Sequence, residues 1–255
     1  MNQEIKVERE SRRVYVEGDR CYKVFDVDED KATILAEAMN QSLVEQTGLL
    51  VPAVLEMKMI DGKWAMVTQN IEGKTLEEML EENPDKEDEL LKRFVDIQID
   101  MQSRKVPLLS KHRDKMNRKI ALTDLSATMR YNLHDRIEQK PRHNYLCHGD
   151  YNPTNVVINA QNEAYIVDWK HATQGNAEAD AARTFMMFLI EGKKKRAGRY
   201  LTLFCEKSGC DYQEVLSWLP ILAATQSVKG KPEEVEFLHS LIFMYKKDLE
   251  ELYEH

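Results

Sequence analysis

Apolar and polar positions alternate through the first seventy residues, and that period of two predicts sheet. In "RRVYVEGDRCYKVF" two alternating runs flank Glu17-Gly18-Asp19, so two short strands are expected there, with Cys21, Lys23 and Phe25 on one face. A second hairpin is expected in "AVLEMKMIDGKWAMVTQ", turning at Asp61-Gly62. Between them "KATILAEAMNQSLVEQTG" carries a helical period, with Ile34, Leu35, Ala38, Met39 and Leu43 as its apolar stripe and Gly48 and Pro52 as its stop. From "EGKTLEEML" onward the pattern is helical, punctuated by Pro84, Pro107, Pro141 and Pro220. The boundary falls at Ile71-Glu72-Gly73, giving a β-rich lobe over 1–70 and a helical lobe over 71–255. There is no internal repeat and no low-complexity tract.

One segment interrupts the helical half. "LCHGDYNPTNVVIN" is followed closely by "AYIVDW", and helix resumes near Ala179. Pro153, between Asp150 and Asn155, forbids a helix interior, so this is a loop feeding a strand at Val156-Val157-Ile158. A turn in "NAQNE" returns the chain as Ala164-Tyr165-Ile166-Val167, ending at Asp168. If these strands pair, Asn155 opens one and Asp168 closes the other, at the same edge. An amide oxygen beside a carboxylate is a hard donor pair suited to Mg²⁺ and a nucleotide's phosphates. Asp150 is then placed to accept a proton from an attacking hydroxyl, and phosphoryl transfer needs this combination. Asp and Asn also decorate surface turns, but the whole spaced set around an apolar strand pair favours the chemical reading.

"HGDYNPTN" followed by "IVDW" resembles the catalytic motifs of the aminoglycoside phosphotransferase and choline kinase-like superfamily, relatives of the protein kinases. The lobe order and helical second half agree with it over nearly the whole chain. The resemblance implies an α+β, bilobal, protein-kinase-like fold whose first lobe binds nucleotide. It implies Asp150 as catalytic base, Asn155 and Asp168 as Mg²⁺ ligands, and His148 as an organiser of the loop. It also implies that Asp180, in "EADAARTF", braces that loop, although a helix N-cap fits Asp180 equally well. Phosphates need a cation, for which Lys23 is the candidate, and kinase-like folds pair such a lysine with a helix glutamate. Glu37 suits that role, and Glu45 is the rival. The stretch "TQNIEG", with Gln69 and Ile71, is expected to meet the base through its backbone, which leaves ATP and GTP both open as donors. One departure stands out: the expected loop "ERESRR" has no glycine, so Ser11 by its hydroxyl and Arg12 by its charge would have to serve the phosphates.

Composition narrows the rest. With 36 basic and 44 acidic residues in 255, the net charge is −8, which argues against nucleic acid and leaves room for a cationic acceptor. No apolar run approaches the roughly 20 residues of a membrane span, and the start of the chain lacks the apolar core of a signal peptide. Four scattered cysteines read as reduced thiols in a cytoplasmic protein. The basic runs at 192–196 and 104–119 read as solvated faces, and Trp218 as core. The expected activity is transfer of the γ-phosphoryl of Mg²⁺-bound ATP or GTP to a hydroxyl of a small molecule. A pseudokinase is the alternative, motivated by the missing glycine, and a protein kinase is a third, disfavoured because "KHATQGNAEAD" leaves no room for an activation loop. The acceptor, bound by helices within 74–145 and 195–255, is expected to be a small metabolite rather than a polycationic antibiotic. Lysines intersperse with Glu233, Glu234 and Glu236, and Glu178 alone would pair few ammonium groups.

Overall fold

The computed structural model describes residues 4–9, 12–228 and 232–243. In chain order the first elements are β1 (Glu4–Arg9), β2 (Arg12–Glu17), β3 (Arg20–Phe25), α1 (Lys31–Glu45), β4 (Val54–Ile60), β5 (Lys63–Gln69), β6 (Lys74–Thr75) and α2 (Leu76–Glu82). There follow α3 (Glu87–Gln102), α4 (His112–Ala121), α5 (Ala127–Glu138), β7 (Tyr145–Cys147), β8 (Val156–Ile158), β9 (Ala164–Ile166) and β10 (Thr173–Gly175). The rest is helical: α6 (Ala177–Ile190), α7 (Lys194–Ser208), α8 (Tyr212–Leu216), α9 (Leu219–Ser227) and α10 (Pro232–Phe243). This is an α+β chain, sheet-rich in its N-terminal part and helical in its C-terminal part.

Two compact units divide it, Met1–Glu82 with Pro153–Ala172, and Asn83–Asn152 with Thr173–His255. The sequence boundary at 70/71 differs from this division for a local reason. β6 pairs with β8 (Lys74↔Ile158, Thr75↔Val157), and α2 packs on a 3₁₀ turn at Pro153–Asn155. Gly73 permits that pairing, because a Cβ there would stand 2.2 Å from the Ile158 carbonyl oxygen.

The first unit is built on an antiparallel sheet of order β1-β2-β3-β5-β4. Both hairpins form where alternation places them, and Asp61 and Gly62 both take the positive φ that a two-residue turn requires. On one face of the sheet Phe25 and Met66 pack with Ile34 and Ala38 of α1; on the other Tyr15 and Tyr22 stack at 4.9 Å beside Val67. Asp30 caps α1 by accepting from the Thr33 N–H. The buried line of α1 is Ile34, Glu37, Ala38, Gln41 and Val44, which corrects the expected stripe: Leu35 is 40% and Met39 55% exposed. Two polar residues displace apolar ones because each finds a partner. Glu37 meets Lys23, and Gln41 Nε2 donates to the Pro52 carbonyl at 2.6 Å. Of the stretch 8–13 read as a loop, Glu8 and Arg9 belong to β1, and Arg12 and Arg13 to β2.

The second unit packs helices around an aromatic core. Phe94 of α3 stacks on Tyr151 at 4.4 Å, and Phe188, Tyr200 and Phe204 from α6 and α7 continue the cluster. Trp218 is buried as expected, with the Lys140 ammonium 5.1 Å from its ring. Arg196, in the basic run, departs from the solvated face expected of it: its Nε donates to Glu87 at 2.7 Å and its side chain is largely covered. All four cysteines are free thiols. Among the described residues no helix is long and apolar enough to cross a membrane.

Candidate active site

In the first unit the β8–β9 hairpin sets the position of two donors. Val156 faces Ile166 and Ile158 faces Ala164, and the Val167 N–H donates to the Asn155 carbonyl at 2.9 Å. Asn155 and Asp168 therefore flank one end of the pair, as the alternation requires. Asp168 adopts left-handed backbone angles (φ 64°, ψ 62°), a conformation that costs a β-carbon residue of order 1 kcal/mol and that Asp tolerates better than most. The turn after it is anchored: the Trp169 indole donates to the Ile166 carbonyl at 2.9 Å, and Lys170 pairs with Glu29 at 2.7 Å.

Lys23 joins these elements. It lies on the face of β3 turned to α1, where its ammonium donates to Glu37 Oε1 and, at 3.1 Å, to Asp168 Oδ1. The lysine side chain is 15% exposed and that of Glu37 only 2%. A carboxylate so enclosed is costly without an ionic partner, and Lys23, shared with Asp168, supplies one. Glu45 is occupied elsewhere, accepting from the Val54 N–H at 2.9 Å where β4 begins. Among the described residues no group of three or more His, Cys, Asp or Glu side chains is placed to hold a metal. Asn155 and Asp168 offer two hard oxygen donors, and Mg²⁺ characteristically takes one or two such protein ligands with phosphate and water completing its shell. The donor set fits that ion.

In the second unit Asp150 follows β7, in a loop held from behind by α6. Asp180 is fully buried; its two carboxylate oxygens accept from the His148 N–H at 3.1 Å and the Gly149 N–H at 2.7 Å. Burial raises its carboxyl above the ordinary range, while the His148 ring, these two N–H groups and Arg183 pull the other way. Asn176, not Asp180, occupies the cap position of α6, so bracing is the role the geometry carries and capping is not. Gly149 takes φ 77°, a left-handed turn that glycine makes without strain. His148 is also fully buried, and its Nδ1 accepts the Asp150 N–H at 3.3 Å, a contact within the loop itself. Beyond Asp150, Thr184 Oγ1 donates to the Tyr151 carbonyl at 2.6 Å, and the Tyr151 hydroxyl donates to the Phe94 carbonyl at 2.7 Å. Burial pushes that phenol well above its usual range, which keeps the proton it donates.

Residues 3–215 match the Phosphotransferase enzyme family. The chain belongs to that family. It is a phosphotransferase of the aminoglycoside phosphotransferase and choline kinase-like superfamily, acting on an alcohol group. Its fold is that of solved aminoglycoside phosphotransferases. A thermostable mutant of APH(4)-Ia, in ternary complex with ADP and hygromycin B, is similar with a TM-score of 0.68 and 13% identity, over 100% of this chain and 95% of that one. The aminoglycoside-3'-phosphotransferase of type VIII is similar at 0.65 and 16%, over 88% and 93% of the two chains. The APH(2'')-IIa complex with streptomycin and ATP is similar at 0.64 and 12%, over 98% and 93%. Comparison with curated proteins finds no match.

Of the positions singled out from the phosphotransferase's sequence, Lys23, Glu37, Gln69, Ile71, Asn155 and Asp168 lie in the first unit, and Asp150 in the second. Lys23, Glu37 and Asp168 are brought into direct contact. Ser11 lies outside the described residues. Gln69 has its N–H committed to the Ala53 carbonyl at 2.9 Å, and Asn70 donates to Asp19 at 2.8 Å. The sequence reading passed over Arg183, whose Nη2 donates to Asp150 Oδ1 at 3.2 Å. A signal for it existed: it lies three residues after Asp180, hence on the same face of α6.

Proposed function

We propose that this phosphotransferase moves the γ-phosphoryl of Mg²⁺-bound ATP to a hydroxyl of a small molecule, with Asp150 as general base. The observation that carries the reading is Lys23 joined to both Glu37 and Asp168, a cation held where a nucleotide's phosphates and their metal need one. Asn155 and Asp168 would hold the Mg²⁺, which when bound neutralises charge on the phosphate oxygens. Lys23 orients the phosphates, and Glu37 keeps Lys23 extended from β3. Asp150 accepts the proton of the acceptor hydroxyl while that oxygen bonds to phosphorus, the bond to the bridging oxygen breaks, and ADP leaves. Since the Gln69 N–H is already engaged, contact with the nucleotide base falls to Ile71 and its neighbours. Backbone contacts of that kind accept GTP in principle, and ATP is the donor proposed. A pseudokinase is disfavoured because Lys23, Glu37, Asp150, Asn155 and Asp168 are all present.

The acceptor is proposed to be a small hydroxyl-bearing metabolite. Hygromycin B and streptomycin are bound by relatives that share the fold at 12–13% identity, too distant to transfer a substrate. The test is a phosphotransfer screen over amino alcohols, sugars, nucleosides and aminoglycosides with Mg²⁺ and either ATP or GTP. Turnover of a metabolite supports the reading. Resistance to kanamycin in a sensitive bacterium, lost with Asp150→Ala, would move the acceptor to the antibiotics; no turnover of any acceptor by protein that binds Mg²⁺-ATP would favour the pseudokinase.

A further inference from the structure

Arg183 lies in "EADAARTF", three residues after Asp180, and it ties Asp150 to a separate helix of the second unit. Its Nη2 donates to Asp150 Oδ1 at 3.2 Å, and its Nη1 donates to Gln226 Oε1 on α9 at 3.1 Å. The side chain is only 16% exposed, and its buried Nε has no hydrogen-bond partner among the described residues. An enclosed guanidinium with an orphan N–H costs free energy, so fold stability alone is a poor reason for the arrangement.

The Asp150 backbone does not need this arginine. Its N–H is taken by His148 Nδ1, its carbonyl accepts from Asn152 Nδ2 at 3.0 Å, and Asp180 and Thr184 hold the residues on either side. Arg183 instead reaches the carboxylate itself, and so bears on its rotation about its own axis. A planar guanidinium pinned at both ends by Asp150 and Gln226 fixes that rotation, which a flexible lysine would not do.

We propose that Arg183 is a positioning residue for phosphoryl transfer, holding the Asp150 carboxylate in the orientation that receives the acceptor's proton, with Gln226 holding Arg183 in turn. The proposal rests on the assignment of Asp150 as base. A reacting group displaced by about 1 Å loses on the order of a hundredfold in rate, which sets the size of the effect.

The probe is phosphate release from Mg²⁺-ATP with water as acceptor, which requires no identified substrate. Arg183→Gln is expected to lower turnover by about ten- to a hundredfold with the KM for Mg²⁺-ATP unchanged within about twofold. Added to Asp150→Asn it should cost nothing more, because its effect passes through that carboxylate. Millimolar methylguanidinium should restore part of the turnover of Arg183→Ala. Gln226→Ala, which leaves Asp150 and Arg183 in place, should give a smaller loss of about three- to tenfold. Unchanged turnover in both Arg183→Gln and Gln226→Ala, or an equal loss with and without Asp150→Asn, overturns the positioning role. If Asp150→Asn itself keeps wild-type turnover, it is the base assignment that fails.

Discussion

In the first unit the functional side chains hold one another: Lys23 stands between Glu37 and Asp168, and each charge is the other's partner. In the second unit Asp150 sits on a backbone held by residues that do no chemistry, with Asp180 accepting two N–H groups before it and Thr184 and Phe94 anchoring Tyr151 after it. A charge network of the first kind rearranges at modest cost when phosphates and a metal enter. A loop braced by buried hydrogen bonds keeps its shape whether or not ligand is present. Substitutions in the first set should therefore appear in nucleotide binding, and those of the residues that brace Asp150 in stability.

The largest effect is expected behind the loop. Asp180→Ala strands the His148 and Gly149 N–H groups in the interior, a loss of about 2–5 kcal/mol, read as a melting temperature lowered by roughly 5–15 °C. A variant that melts with the wild type would show that α6 does not brace the loop. Next comes Asp168→Ala, which should fold normally and lose the Mg²⁺-dependent part of the thermal shift seen with ATP. At a hundredfold excess over Kd that part is worth about 2.7 kcal/mol. An undiminished Mg²⁺ response would make Asp168 a turn residue and remove the contrast between the units.

The smallest effect is a pH dependence in the second unit. His112, half-buried and stacked on Trp218 at 6.3 Å, has its imidazole lowered to about 3 by burial, with Lys115, Arg183 and Lys119 adding to the effect. The folded-state value lies below the unfolded one, so this contribution to stability is complete above pH of about 6.5 and is lost as pH falls toward about 3. It amounts to no more than about 2 kcal/mol once partial exposure is allowed for. His112→Gln should flatten the fall of melting temperature over that window; an identical slope would mean that the ring protonates freely in the folded protein.

Much of this is readable from the chain. Alternation locates both hairpins because successive side chains point to opposite faces of the sheet, and Asp61-Gly62 can make a tight turn that few other pairs make. The order Asn155, strand, turn, strand, Asp168 predicts two donors at one end of a hairpin, since pairing in register leaves no other place for them. The inward face of α1 is not readable in this way. Counting apolar residues selects Leu35 and Met39, whereas Glu37 and Gln41 turn inward because their partners, Lys23 and the Pro52 carbonyl, lie elsewhere in the chain. The boundary after β5 escapes for a similar reason: β6 is two residues long and meets β8 far downstream. The spacing of Arg183 from Asp180 places it on the loop-facing side of α6, but its partner, 33 residues earlier, is visible only in the fold.

The most direct test of the account is Asp150→Asn, measured for Mg²⁺-ATP binding and for turnover on the acceptor found by the screen. The side chain keeps its size and an oxygen able to accept from Arg183, and Asp180 and Thr184 hold the residues on either side. The account predicts unchanged Mg²⁺-ATP affinity and melting temperature, with turnover lowered by about 10²–10⁴, the range of a lost general base. Wild-type turnover in that variant would contradict it.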